Sequence, residues 1–317
     1  MKFRCLAVTV LSSLATVASA ADPQLLQLVM PDAKVLSGID VDRVKAAPFG
    51  QFFLSQLPID AGFDQFVALT GFDPRRDVHE VLMASPGDPQ RKSGLLLVRA
   101  NFDLARVLPL IQSAGKTTES YKGVTILLDG KPGGSIAHGM AFLDSTLVAA
   151  GDLDSVRGAI DRRSGGVSVT PEIADKVSKA SASQDAWIVS LAPVSAFAAV
   201  APDRNLRGAL QGDLLKSIQQ SSGGVRFGNV IEVSGELTAN TAQDATSLAD
   251  VLKFFLNMAQ TSAPAGPPAQ LASLIKNLTV NTEANSVKLS VGIPETDLET
   301  LIRLAQGRAA AGMRPRI

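Results

Sequence analysis

The stretch from Gly133 to Arg163 reads GGSIAHGMAFLDSTLVAAGDLDSVRGAIDRR, and its pattern decides the fold. Met140 to Ala150 reads as an apolar strand with a turn at Asp144-Ser145. Asp152 then opens a short amphipathic helix whose apolar face is Leu153, Val156 and Ile160. An aspartate just ahead of apolar residues spaced three and four apart marks a helix start, because its carboxylate accepts from the first free backbone N–H groups. The phrase recurs three more times. Leu95 to Val98 leads through Asn101 and Asp103 into Leu104, Val107, Leu108 and Ile111. Val230 to Leu237 leads through Thr241 and Asp244 into Leu248, Val251, Leu252 and Phe255, and Val287 to Val291 leads through Thr296 into Leu298, Leu301, Ile302 and Ala305. Two such phrases in each half predict an α+β fold: two lobes of mainly antiparallel sheet with helices packed on one face, an order compatible with a degenerate internal duplication.

Outward from this stretch, the organisation follows composition. Residues 21–165 form the expected N-terminal lobe, 166–184 a polar, small-residue join containing Pro171, and 185–307 the C-terminal lobe. The second lobe starts with a strand at Ala186 to Leu191. It continues with a helical stretch to Gln220 and a Ser-Gly break at Ser221 to Gly224, before a strand pair or long bent strand from Val225 to Leu237. Thr261 to Ala269, with Pro264, Pro267 and Pro268, reads as a stiff linker. Residues 308–317, with Arg308, Arg314 and Arg316, read as a flexible basic tail.

Met1 to Ala20 has basic residues Lys2 and Arg4, an apolar run from Cys5 to Val17 and the small triplet Ala18-Ser19-Ala20. This order predicts a secretory signal peptide cleaved before Ala21, and hence a periplasmic or secreted mature chain. The run is shorter than the roughly 20 residues that span a bilayer, and no later stretch reaches that length, so no transmembrane segment is expected in the mature chain. Cys5 is the sole cysteine, so a cleaved chain has no disulfide and no thiolate chemistry. Removing Lys2 and Arg4 from the 30 basic residues leaves 28 against 30 acidic ones, which offers no excess of positive charge to nucleic acid.

The N-terminal lobe opens with a short helical face, Leu25, Leu26, Leu28 and Val29, and a strand at Ala33 to Ile39. Pro48 suits a first helical turn, followed by Phe49, Phe52, Phe53 and Leu57 on one face. Phe63, Phe66 and Val67 repeat this on a second helix ending near Gly71. Phe49, Phe52, Phe53, Phe63, Phe66 and Phe72, six of the 13 phenylalanines, thus fall in one helical hairpin, and they are the candidate ligand-binding residues. Thr70-Gly71-Phe72-Asp73-Pro74-Arg75-Arg76-Asp77-Val78 follows, leading to a strand at Val78 to Ala84. With Pro48-Phe49-Gly50, this string resembles uncharacterised secreted bacterial proteins of the domain-of-unknown-function kind, over roughly residues 30–165. The resemblance implies a fold and supplies no catalytic residue.

Chemistry is sparsely signalled. His79 and His138 lack metal-ligand spacing, so no metal site is expected. Ser135, in Gly133-Gly134-Ser135, precedes a strand, whereas a nucleophile elbow leads into a helix. The carboxylate pairs Asp40 with Asp42, Asp60 with Asp64 and Asp73 with Asp77 sit at turns and helix starts, where aspartate caps backbone donors. No glycine-rich phosphate cradle occurs, so no cofactor and no catalytic residue are assigned. The expectation is a non-enzymatic exported protein that binds a partner protein, an envelope component or an apolar ligand. A carboxylate-dependent hydrolase such as a glycoside hydrolase is the alternative, requiring two acids roughly 5 to 10 Å apart in one cleft. A periplasmic carrier of an apolar ligand is the further alternative, requiring an internal cavity next to Phe52, Phe53 and Phe66.

Overall fold

The computed structural model describes residues 21–56, 61–88, 90, 91, 93–113, 117–129, 138–165, 169–196, 212–261, 277–300, 302 and 303. The signal-like segment 1–20, Leu57, Asp60, the glycine turn with Ser135, residues 262–269 and the arginines of the tail lie outside the described residues.

Among the described residues, twelve strands form a single sheet in which every pairing is antiparallel. In chain order they are β1 (Val35–Asp40), β2 (Val78–Ser85), β3 (Leu95–Ala100), β4 (Thr118–Tyr121), β5 (Val124–Asp129) and β6 (His138–Asp144). There follow β7 (Leu147–Asp152), β8 (Ala186–Ser190), β9 (Ile218–Arg226), β10 (Val230–Ala239), β11 (Thr279–Glu283) and β12 (Ser286–Pro294). Across the sheet the order is β11-β12-β10-β9-β8-β1-β2-β3-β7-β6-β5-β4. The α+β class read from the sequence is the observed one. The two expected half-sheets are contiguous, because β1 pairs with β2 on one side and β8 on the other, with Leu36 opposite both Ala84 and Val189.

The helices are α1 (Pro23–Leu28), α2 (Val41–Ala46), α3 (Pro48–Ser55), α4 (Ala61–Thr70), α5 (Pro74–Asp77) and α6 (Leu104–Ser113). They continue with α7 (Leu153–Arg162), α8 (Pro171–Ser183), α9 (Asp213–Lys216) and α10 (Ala242–Thr261), and residues 295–300 are also helical. All four strand-to-helix phrases are present, as β3–α6, β7–α7, β10–α10 and β12 with 295–300. Asp152 caps α7 through Ser155 N at 3.0 Å and also accepts from Gly94 N at 2.8 Å and Ser93 Oγ at 3.1 Å, tying the helix start to the approach to β3. Burial pushes its pKa up, but the hydrogen bonds from Ser155, Gly94 and Ser93 outweigh that and hold the carboxyl below its usual range.

Residues opposite one another in an antiparallel ladder share a face, so one register row can be followed across the sheet. On the first face the row runs Ile126, Ala141, Ala149, Leu97, Leu82, Gly38 and Trp187, then Gly224, Ser234, Ser290 and Thr279. It changes from apolar to polar at Trp187. The apolar part is the largest core, covered by Leu25 and Leu28 of α1, Val156 and Ile160 of α7, and Ile173 and Val177 of α8. On the opposite face, the C-terminal half buries Val287 and Val280 under Ala245, Leu248 and Ala249 of α10, and Ile231 and Ile293 under Phe49 of α3. The sheet thus switches its buried face where β8 meets β9. Gly38 permits this crossing to be filled, since a Cβ there would lie 2.4 Å from Cζ2 of Trp187.

Two segments differ from their sequence reading. The expected join at 166–184 contains α8, whose Ile173 and Val177 are fully buried in the main core. Its two large apolar residues, four apart, suffice because Ala180 and Ser181 complete the face, and small residues carry little hydropathy signal. The helical stretch and break expected up to Gly224 give way at Ile218 to β9. The glycines there serve close approach: a Cβ on Gly224 would meet Ala186 O at 2.7 Å.

Candidate functional site

The second face of the N-terminal half is apolar too. Its register row runs Leu127, Met140, Ala150, Leu96 and Met83, and beside it lie Val98, Val148 and Phe142. A strand that is apolar on both faces must be covered twice or expose the second face. Here α4 and α6 stand over β3, β7, β6 and β5 and leave a cavity of about 940 Å³ beneath them. That volume falls within the roughly 300 to 1,000 Å³ of small-molecule sites. Phe66 and Leu69 of α4 and Val107, Leu110 and Ile111 of α6 form its roof. Toward the centre of the sheet a shallower groove of about 400 Å³ continues past Leu96 and Ala150 to Met83 and Val35.

The distinctive Thr70–Val78 string builds one corner of this cavity. Gly71 closes α4 with φ of 73°, a backbone state that side chains disfavour, and donates its N–H to Val67 O at 2.8 Å. Thr70 Oγ1 donates to Phe66 O and accepts from Phe72 N, so the turn is internally satisfied. Asp73 then caps α5 through Arg75 N at 3.0 Å, and Asp77, nearly buried, accepts from Asp73 N at 2.8 Å. The Arg75 side chain holds the Asp73 carboxyl below its ordinary range, and Arg76 does the same for Asp77. Asp77 O receives Asn101 N at 2.9 Å, which fixes the end of β3 against this turn. The result is a run of rings along the cavity wall. Phe66 meets Phe72 edge-on at 6.4 Å, Phe72 stacks on Phe102 at 5.0 Å, and Phe102 meets Phe142 edge-on at 5.2 Å.

Of the six phenylalanines singled out in the sequence, the cavity brings together Phe66 and Phe72. Phe49 is buried against Phe52, at 5.9 Å, and Phe227, at 5.8 Å, in the core of the other half. Phe53 is exposed, and the guanidinium of Arg75 lies 4.9 Å from the ring centre of Phe63. The cavity therefore adjoins Phe66 but is not lined by Phe52 or Phe53. The residues missed were Phe102, Phe142 and the second face of the strands. Their signal was present in the unbroken apolar runs Leu95 to Val98 and Leu147 to Ala150, where strict alternation would have marked one wet face.

Apart from Thr70 at the α4 corner, the polar side chains of the described lining, Asp129 and His138, lie together. Asp129 and His138 sit opposite each other across β5 and β6, on the cavity side, and both are exposed. Neither side chain has a hydrogen bond or ion pair among the described residues. The described lining contains no lysine or arginine. His79 is differently placed: its Nδ1 donates to Asp42 at 2.8 Å and its Nε2 accepts from Asn101 Nδ2 at 2.8 Å, which occupies both ring nitrogens. Asp40 caps α2 and pairs with Arg43, and Asp64 lies in the first turn of α4. Among the described residues no group of three or more His, Cys, Asp and Glu is placed to hold a metal ion, and no helix is long and apolar enough to cross a membrane.

A second apolar feature lies outside the cavity. Val251, Phe254, Phe255 and Met258 of α10 are exposed, with Phe254 the most so at 63%. The sequence places Val251 and Phe255 on one face with Leu248 and Leu252, but only Leu248 and Leu252 turn to the core, while Val251 and Phe255 turn outward with Phe254 and Met258 at three-four-seven spacing.

No family model matches the chain, and no curated protein matches it. Among solved structures, crystal form I of TP0453 is similar, with 12% identity, a TM-score of 0.48, and coverage of 90% of this chain and 98% of that one. That likeness is too distant to transfer a function.

Proposed function

We propose that the protein is an exported, non-catalytic binder and carrier of an apolar ligand, held between the sheet and helices α4 and α6. The observation that supports this most is the apolar cavity of about 940 Å³ whose described polar side chains are confined to Thr70, Asp129 and His138. The space is a half-open cleft in which Phe66 and Leu69 remain exposed, and an apolar concavity of this size with few polar groups is the usual form of a small-molecule site. Export rests on the charge, apolar run and small triplet of the first twenty residues. The hydrolase alternative gains less support. It needs two carboxylates in one cleft, and among the described lining residues Asp129 is the single one. Binding of a partner protein rests instead on the exposed Val251, Phe254, Phe255 and Met258 of α10.

Native mass spectrometry of protein purified without detergent tests the carrier reading. The expected result is a retained apolar mass that survives mild activation and is lost at higher energy. Bare protein that also fails to take up decanol on incubation would refute it.

A further inference from the structure

The carrier reading leaves the ligand's polar end undefined, and the cavity mouth supplies it. We propose that Asp129 and His138 receive the head of a single-chain amphiphile, and that this head is a hydrogen-bond donor, an alcohol or amine, rather than a carboxylate. The proposal rests on the carrier reading and adds the class of head group to it.

Three observations converge. The apolar lining from Leu96 and Val98 to Phe142 offers a chain no polar partner along its length, so any head group must lie at an end. Thr70, at the α4 corner, has its hydroxyl occupied by Phe66 O and Phe72 N, and does not compete for the head. Asp129 and His138 lie directly opposite in the β5–β6 register, which sets their Cβ atoms roughly 4.5 to 5.5 Å apart on the face toward the cavity. Both lack partners among the described residues. A carboxylate accepts hydrogen bonds and offers none, so Asp129 requires a donor in the head group. The imidazole can donate or accept, and so completes the contact with a hydroxyl. An anionic head would meet like charge at Asp129, with no lysine or arginine among the described lining residues to offset it.

The test is a calorimetric titration of the whole mature protein with decanol, decylamine and decanoate, below their aggregation limits, on wild type, Asp129→Asn and Asp129→Lys. Wild type is expected to bind decanol and decylamine about tenfold more tightly than decanoate, the scale of one charge-assisted hydrogen bond at a wet mouth. Asp129→Asn should weaken decylamine and spare decanol. Asp129→Lys should reverse the order of decylamine and decanoate. Equal affinities for all three, unchanged by either substitution, would overturn the head-group assignment while leaving the apolar cavity as the binding site. Failure of all three to bind would overturn both.

Discussion

Replacing Ala150 by phenylalanine separates an empty binding cavity from a packed core. Ala150 stands in β7 between Met140 and Leu96 and lines both the cavity and the adjoining groove. Its side chain shares the face of Leu127 and Met140, so a phenyl group there enters space beneath α4 and α6. Full burial of such a ring is worth about 1.5 to 3 kcal/mol. With a mouth exposed at Asp129 and His138, about half of that is expected, or roughly 1 kcal/mol of added stability and a rise of about 2 to 3 °C in the melting temperature. A tightly packed site would respond in the opposite sense, losing about 1 to 3 kcal/mol to overpacking. The same ring blocks the path of a guest chain, so decanol affinity should fall at least about tenfold. Thermal unfolding and calorimetry on the same variant read both quantities. Destabilisation by 1 kcal/mol or more, or unchanged decanol affinity, would refute the reasoning.

Other substitutions test the frame that shapes the cavity. Asp152→Ala removes the cap of α7 and the bonds to Gly94 and Ser93, and should cost about 1 to 2 kcal/mol in denaturant unfolding. Because the Asp152 carboxyl sits below its ordinary range, its contribution should be present above pH 4 and disappear as pH falls through its folded value. Gly38→Ala places a Cβ against the Trp187 ring and should cost about 1 to 3 kcal/mol, with a shifted emission spectrum, since Trp187 is the protein's single tryptophan. Burial raises the Glu80 carboxyl above its usual range, so the folded state keeps its proton to higher pH than the unfolded chain does, and stability is lost as pH rises through the folded value. Glu80→Gln should therefore be more stable than wild type at pH 7, and the gap should close toward pH 4; an equal gap at both values would contradict this.

Much of the fold was legible because its strongest signals are local. Asp152, Asp103 and Thr241 each precede an apolar helical face, and each opens a helix after a strand. Gly71 ends α4 where its conformational freedom is used. Other features depend on contacts between distant segments. Nothing local in Val35 to Asp40 states that β1 will pair with β8 and join two halves into one sheet. Edge strand β11 has one apolar residue, Val280, facing the core, too little alternation to read as a strand. The candidate site was half legible. Phe66 and Phe72 reach the cavity, but the same one-sided spacing that drew attention to Phe49 and Phe52 sends them into the core of the other half. The cavity arises from the standoff of α4 and α6 above the strands, and helix spacing from a sheet is a tertiary property.

The measurement that bears most directly on the carrier account is a titration of ¹³C-methyl-methionine protein with decanol, followed by NMR. Met140 lines the cavity, Met83 lies in the adjoining groove, Met30 is buried in the core beneath the first face, and Met258 marks the exposed stripe of α10. The account predicts a large, saturable shift at Met140, a smaller one at Met83, and none at Met30 or Met258. A shift at Met258 with Met140 unmoved would contradict it and place the apolar contact on α10 instead.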